Sequence, residues 1–143
     1  MEKYPPILYA EDNENDIELT LAAFSECNLQ NKIDVVRDGK QVLDYLNCEG
    51  DYTGREPEKP ILILLDIKMP KLDGIQTLKI IKSNEILRTI PVVILTSSAM
   101  EKDLIESYEL GANAYVIKPI DYCEFLEAVK KIGSFWALVN VTL

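Results

Sequence analysis

The sequence predicts an α/β fold in which helices cover both faces of a parallel β-sheet. Five short apolar runs recur along the chain, and several are almost continuously apolar, which is typical of strands buried on both faces. Segments with apolar residues at helical spacing lie between and after these runs, so that a strand and a helix alternate five times. A chain of 143 residues has the length of one ordinary domain and can bury its own core.

The predicted elements can be placed in order along the chain. The strands are Ile7–Ala10, Ile33–Val36, Ile61–Leu65, Val92–Leu95 and Tyr115–Ile117. Helical spacing is found at Ile17, Leu21 and Phe24, at Leu78, Ile81 and Lys82, and at Leu104, Ile105 and Tyr108. A last helix is predicted from about Asp121, with Leu126, Val129 and Ile132 on one face.

Helix ends and loops support this division. Ser98 with Glu101, and Asp121 with Glu124, have the spacing of an N-cap and a third helical residue, and Gly111 can end the helix that contains Tyr108. The pair Asp73 and Gly74 is interpreted as a turn that carries no chemistry. The segment from Cys48 to Lys59 is polar and rich in turn formers, which predicts an exposed loop.

Charge and composition exclude several classes of function. The net charge is -9, and without a basic cluster this disfavours binding to nucleic acid or to an anionic membrane. Neither a signal peptide nor a membrane-spanning run is recognised, so a cytoplasmic location is expected. Cys27, Cys48 and Cys123 lack CxxC spacing and there is no histidine, which argues against a zinc site and for free thiols.

Polar residues lie where the apolar runs end. The residues are Glu11, Asp12, Asp66, Thr96 and Lys118. Because the carboxyl ends of parallel strands meet at one edge of the sheet, we expect these side chains to converge there. Three carboxylates can hold a hard divalent cation such as Mg²⁺. The carboxylate of Asp66 could then attack a phosphorus atom, with Lys118 and Thr96 binding the phosphoryl oxygens, to give an aspartyl phosphate.

Four motifs carry a resemblance to a known family. They are YAEDN at the first strand end, LLDIKMPKLDG around Asp66, ILTSSA at Thr96, and GANAYVIKP ending at Lys118 and Pro119. With these motifs the chain resembles the single-domain receivers of two-component response regulators, over about Ile7 to Ile132. The resemblance implies a doubly wound, flavodoxin-like sheet of five parallel strands in the order 2-1-3-4-5, flanked by five helices. It also implies a receiver domain over 1–132, followed by an apolar extension over 133–143.

The resemblance also implies roles for individual residues. Asp66 is the expected phosphoacceptor. Asp12, Asp66 and the backbone carbonyl of Lys68 are the expected Mg²⁺ ligands, with Glu11 acting through water. Thr96 and Lys118 are expected to contact the phosphoryl group, Tyr115 to turn inward as a switch, and Pro119 to follow a cis peptide bond. Receivers catalyse their own phosphorylation and slow hydrolysis, so the chain is not expected to be an enzyme with turnover as its purpose.

Two positions beside the expected phosphoryl group depart from the commonest family residues. They are Lys68, two residues after Asp66, and Ser98, two residues after Thr96. Both could admit or exclude the attacking water. We hypothesise that they set the lifetime of the phosphorylated state.

Three other functions share part of this pattern. A phosphatase of the haloacid-dehalogenase class would need a second Asp two residues after the nucleophile, where this chain has Lys68. A receiver-like interaction module that acts without phosphorylation would usually lack an acidic residue, the acceptor or the lysine, all of which are present. A flavodoxin-like nucleotide binder would need a glycine-rich loop after the first strand, where YAEDN would repel phosphate.

The expected partners follow from the resemblance. No output domain is expected after the last helix, so the signal would pass through protein contacts. The loop from Cys48 to Lys59, together with Phe135 and Trp136, is similar to cyanobacterial regulators that partner phytochrome-type sensor histidine kinases. The similarity to those regulators implies that the chain forms a homodimer through its C-terminal face, with apolar contacts from Phe135, Trp136 and Leu138. Folding of the tail onto its own domain is the alternative.

Overall fold

A computed structural model describes residues 5–26, 31–97, 106, 108–118, 121 and 123–125. The strands are β1 (Ile7–Ala10), β2 (Ile33–Val36), β3 (Leu62–Asp66), β4 (Val92–Thr96) and β5 (Ala114–Ile117). The helices with defined bounds are α1 (Glu14–Glu26), α2 (Gly39–Asn47) and α3 (Gly74–Ser83), with 3₁₀ turns at Gly50–Tyr52 and Leu87–Thr89. Each predicted strand is therefore present, with ends shifted by at most one residue.

The five strands form one parallel sheet in the order β2-β1-β3-β4-β5. This confirms the doubly wound arrangement. The register pairs Ala10 with Leu65, Asp66 with Leu95 and Thr96 with Ile117. The carboxyl ends of the four strands β1, β3, β4 and β5 are thus level at one edge of the sheet.

The core consists of two apolar layers, one on each face of the sheet. Leu8, Ile63 and Ile94 pack with residues of α2 and α3 on one face. On the other face, Tyr9, Leu64 and Leu95 pack with residues of α1 and with Phe125. Because successive side chains of a strand point to opposite faces, a strand with helices on both sides must be apolar throughout. This is the reason that the strands read as continuous apolar runs.

Two of the predicted helix ends, at Gly111 and Asp121, lie within the described residues. Gly111 has a φ of 108°, and its N–H donates to the carbonyl of Tyr108 at 3.1 Å, as expected of a glycine that ends a helix. Asp121 Oδ1 accepts from the backbone N–H groups of Cys123 (2.7 Å) and Glu124 (3.3 Å), which confirms its N-cap role. The predicted cap at Ser98 and the helical face from Leu126 to Ile132 lie outside the described residues.

The loop after α2 is more ordered than the sequence predicted. It contains the 3₁₀ turn Gly50–Tyr52, and Arg55 ties it to α2: Nε and Nη2 donate to the Tyr45 carbonyl at 3.0 and 2.7 Å. The guanidinium also lies 3.9 Å from the centre of the Tyr45 ring. Most residues of this segment are exposed, which confirms the prediction of an exposed loop. The sequence did not predict its 3₁₀ turn or the contacts of Arg55.

Two further expectations concern thiols and membranes. Cys48 and Cys123 are free thiols, half-buried and exposed respectively, whereas Cys27 lies outside the described residues. Within the ranges that the structure describes, no helix is long and apolar enough to cross a membrane.

Candidate functional site

The edge formed by the carboxyl ends of the strands gathers the polar residues that the sequence singled out. Asp66 is the last residue of β3, Thr96 is the last of β4, and Glu11 and Lys118 directly follow β1 and β5. Two backbone hydrogen bonds hold this alignment, Glu11 N–H to Val36 O at 3.0 Å and Lys118 N–H to Thr96 O at 2.8 Å. The predicted convergence of these four segments is confirmed.

Glu11, Asp12 and Asp66 form the acidic cluster of the site. Each contributes one carboxylate oxygen to a group whose atoms all lie within 4.8 Å of one another. Glu11 and Asp66 are buried, with 0% and 5% exposure, whereas Asp12 is exposed. A set of oxygen donors with one open side is suited to a hard divalent cation.

Lys118 lies against this cluster and against one further carboxylate. Its Nζ is 3.2 Å from Glu11 Oε1, 3.2 Å from Asp66 Oδ1 and 3.0 Å from Asp16 Oδ2. The pairing with Asp16 was missed by sequence reasoning. The available signal was its position in the first turn of α1, four residues after Asp12.

Burial and neighbouring charges shift the pKa values of the site. Burial, followed by the charge of Asp66, raises the pKa of Glu11 to about 7, although Lys118 opposes the shift. Burial also raises the pKa of Asp66, against the lowering effect of Lys118. For Lys118, burial acts to lower the pKa, but the hydrogen bond to Asp16 and the charges of Asp66 and Glu11 raise it overall.

A small cavity adjoins the Asp66 carboxylate. Its volume is about 50 Å³, and its lining includes Asp66, Lys68, Thr96 and Lys118. Thr96 is buried, at 2% exposure, whereas Lys68 is exposed. The nucleophile candidate, the hydroxyl and the ammonium group therefore face one small space, as the sequence predicted.

The loop after β3 is fixed against the backbone of Asp66 by the start of α3. Asp73 accepts from Gln76 N–H at 2.8 Å, and Gln76 Oε1 accepts from Asp73 N–H at 3.0 Å, which forms a capping box. The N–H of Gly74 donates to Ile67 O at 2.7 Å. A Cβ atom at Gly74 would collide with the backbone of Asp66 and Ile67. The Asp73–Gly74 pair, interpreted from the sequence as a turn, starts α3, and the sequence did not reveal that it also positions the acceptor.

The remaining predicted residues are only partly within the described structure. Tyr115 lies on β5 with 37% exposure, and its ring meets Tyr108 edge-on, with ring centres 6.2 Å apart. The ring of Tyr115 therefore lies on the partly exposed face of β5. The others lie outside the described residues, namely Ser98, Pro119, Phe135, Trp136 and Leu138.

Comparison with known proteins agrees with the fold. The family model described as the response regulator receiver domain matches residues 7–130. The chain therefore belongs to the response regulator receiver family, in which accepting a phosphoryl group is the standard role. This match decides against the haloacid-dehalogenase and flavodoxin alternatives.

Three similar proteins are informative. The response regulator Rcp1 of Synechocystis is 39% identical over 144 residues, which cover 99% of this chain and 96% of Rcp1. The structure of the bacteriophytochrome response regulator AtBRR is 49% identical, with a TM-score of 0.90, and the match covers 96% of this chain and 99% of AtBRR. The phosphorylated cyanobacterial phytochrome response regulator RcpA is 36% identical, with a TM-score of 0.76 and coverage of 98% and 100%.

A metal-bound relative also has a known structure. The Mn²⁺-bound form of Rcp1 is 36% identical, with a TM-score of 0.74, and the match covers 97% of this chain and 96% of that one. Receiver domains bind a divalent metal at an acidic pocket, and the acidic cluster of this chain fits that property.

Proposed function

We propose that Asp66 accepts a phosphoryl group from a phosphohistidine of a sensor histidine kinase. The observation that carries this proposal is the position of the Lys118 ammonium, 3.2 Å from Asp66 Oδ1, beside a cavity that Thr96 also lines. An Asp66 oxygen would form a bond to phosphorus while the bond from phosphorus to the imidazole nitrogen breaks, and the electron pair stays on that nitrogen. Lys118 and the Thr96 hydroxyl would bind the phosphoryl oxygens as their charge develops.

We infer that Mg²⁺ is the cation of this site. Glu11, Asp12, Asp66 and the backbone carbonyl of Lys68 would hold it. The fit rests on the chemistry of the donors, which are oxygens only, and on the closeness of the three carboxylates, all with an oxygen within 4.8 Å of the others. The pKa of Glu11 is raised first by burial and then by the charge of Asp66, which a bound cation would offset. When bound, a divalent cation supplies positive charge that offsets the repulsion between a carboxylate and an incoming phosphoryl group.

The direct test is covalent labelling. The protein is incubated with acetyl phosphate and Mg²⁺ and its intact mass is measured. We expect the added mass of one phosphoryl group in the parent protein and its absence in Asp66→Asn. Asp51→Asn is the matched control, because it removes a carboxylate from an exposed position away from the site. Equal labelling of Asp66→Asn and the parent protein would refute the proposal.

We further propose that the kinase is of the phytochrome type and that the protein acts in the cytoplasm. The support is the similarity to AtBRR and RcpA, which are phytochrome response regulators. Phosphotransfer from a phosphorylated phytochrome kinase should be faster than from a kinase of another sensor class. Slow loss of the phosphate is the only further chemistry proposed, so the protein serves as a switch and not as an enzyme.

The lifetime and the output of the switch are parts of the same proposal. Lys68 is exposed and lines the cavity, which supports the proposal that it influences the approach of water. Ser98 is proposed to share this role. A Lys68→Asn variant should change the rate of phosphate loss, and an unchanged rate would remove Lys68 from the mechanism. Phosphorylation is proposed to move Thr96 and turn Tyr115 inward.

A homodimer through Phe135, Trp136 and Leu138 remains the proposed assembly. These residues form an apolar cluster in the sequence, and such clusters supply contacts at interfaces. Sedimentation of the chain truncated after Ile132 tests this. An association state equal to that of the full chain would count against a dimer held by the tail.

A further inference from the structure

Asp16 is a partner of Lys118 that the acidic cluster does not include. Its Oδ2 lies 3.0 Å from Lys118 Nζ, slightly closer than the oxygens of Glu11 and Asp66. The Lys118 side chain is 18% exposed and that of Asp16 is 31% exposed. Because the Lys118 side chain is largely shielded from water, solvent screens this pair less than it screens a pair of fully exposed charges.

The backbone of Asp16 is held firmly. Its N–H donates to Asn13 Oδ1 at 3.0 Å, which caps the start of α1. The hydroxyl of the buried Tyr9 lies 3.1 Å from Thr20 Oγ1 and 3.4 Å from the Asp16 carbonyl, which ties the same turn to β1. The Asp16 carboxylate is therefore presented to Lys118 from a fixed point.

The three carboxylates around Lys118 have different duties. An ammonium group has three N–H donors, and here three carboxylates lie within reach. Glu11 and Asp66 belong to the cluster that the proposed function assigns to the cation, and Asp66 also takes the phosphoryl group. Asp16 has neither role. It can therefore keep its hydrogen bond to Lys118 when the other two N–H groups of the ammonium donate to phosphoryl oxygens.

We propose that Asp16 is a positioning residue that holds the Lys118 ammonium beside Asp66 and directs its two other N–H groups at the incoming phosphoryl group. This inference rests on the proposed function of Asp66. With acetyl phosphate, an Asp66 oxygen bonds to phosphorus, the bond from phosphorus to the acetate oxygen breaks, and the electron pair leaves with acetate. Lys118 keeps its proton throughout, and Asp16 keeps Lys118 in place.

The test compares Asp16→Ala and Asp16→Asn with the parent protein. The rate constant for phosphorylation by acetyl phosphate at saturating Mg²⁺ should fall about tenfold in Asp16→Ala, the factor expected for one charge-assisted hydrogen bond. Asp16→Asn keeps an acceptor oxygen and should lose less. The Kd for Mg²⁺ should stay within about twofold of the parent value in both variants, because Asp16 lies outside the cluster. Glu18→Ala removes an exposed carboxylate from the same helix and should leave the rate unchanged.

A second readout does not depend on phosphorylation. In protein labelled with ¹⁵N-lysine and free of metal, the ammonium signal of Lys118 should shift or broaden in Asp16→Ala and stay in place in Glu18→Ala. An unmoved Lys118 signal, or a phosphorylation rate within about twofold of the parent, would overturn the inference. If the parent protein is not labelled at all, the proposed function fails, and the Lys118 signal alone decides whether Asp16 holds the ammonium.

Discussion

Gly74 occupies a position at which the structure leaves no space for a side chain. A Cβ atom there would lie 2.7 Å from Ile67 Cα and closer still to the carbonyl oxygen of Asp66. Ordinary contact begins at 3.4 Å and the distance to the Asp66 oxygen is 2.3 Å, so the two backbone segments would have to separate by about 1 Å. Both partners are backbone atoms, so no rotamer change can relieve the clash.

The predicted cost of Gly74→Ala follows from this geometry. The variant should lose about 1–3 kcal/mol of unfolding free energy, as overpacked sites do. Because the displaced backbone carries Asp66, the rate of phosphorylation should fall by about ten- to a hundredfold, the penalty for misplacing a reacting group by up to 1 Å. Urea unfolding measures the first quantity, and intact-mass kinetics with acetyl phosphate and Mg²⁺ measure the second.

Gly54→Ala is the matched control for this prediction. A Cβ atom at Gly54 meets nothing within 4 Å, and its φ lies outside the left-handed region. The control should therefore have the stability and labelling rate of the parent protein. If Gly74→Ala matched Gly54→Ala in both measurements, the argument that α3 positions the acceptor by close packing would be wrong.

Three further predictions concern the site and its supports. The affinity for Mg²⁺, measured by titration calorimetry, should rise about tenfold from pH 6 to pH 8, because the pKa of Glu11 is raised to about 7 and its proton competes with the cation. Arg55→Ala should lower the unfolding free energy in urea by about 1–3 kcal/mol, because the Tyr45 carbonyl loses two donors at 3.0 and 2.7 Å. Asp73→Ala should cost about 1 kcal/mol in the same assay through loss of the capping box with Gln76.

Each of these has a result that would contradict it. Glu11→Gln should abolish the pH dependence of Mg²⁺ affinity, and a dependence that persists would point to another group.

In the metal-free protein, the contribution of Glu11 to the free energy of unfolding changes with pH in the opposite direction to the Mg²⁺ affinity. The raised pKa of Glu11 contributes stability below its unfolded value of 4.5, and this stability is lost as the pH rises through about 7. Lys59→Ala, in the same loop as Arg55, and Asp51→Ala, which removes an exposed carboxylate as a control for Asp73→Ala, should leave the free energy of unfolding nearly unchanged. A loss in either control equal to that of its test variant would contradict the role of Arg55 or of Asp73.

Local pattern was enough to predict most of the fold and the main residues of the site. Continuous apolar runs report strands buried on both faces, and a polar residue at the end of such a run must lie at the sheet edge. This reasoning located Glu11, Asp66, Thr96 and Lys118 without knowledge of the strand order. The strand order was implied by the family resemblance, because periodicity indicates which face of a strand is buried and does not indicate which strands are neighbours.

Contacts between distant segments could not be predicted in this way. Asp16 meets Lys118 across 102 positions, and Arg55 reaches a helix carbonyl that composition cannot reveal. Such pairs depend on strand register and on the course of loops, which place single atoms to within a few tenths of an ångström. A pattern of apolar and polar residues predicts only which face of a strand or helix is buried.

The sequence by itself determined the α/β class, the acidic cluster and the acceptor candidate, since each follows from residue type and spacing along a strand. The tertiary structure decided how the acceptor is held. It packs Gly74 against the Asp66 backbone, and it sets Asp16 on the Lys118 ammonium. The physical reason is that burial is a property of short segments, whereas the position of a charge depends on how several segments pack together.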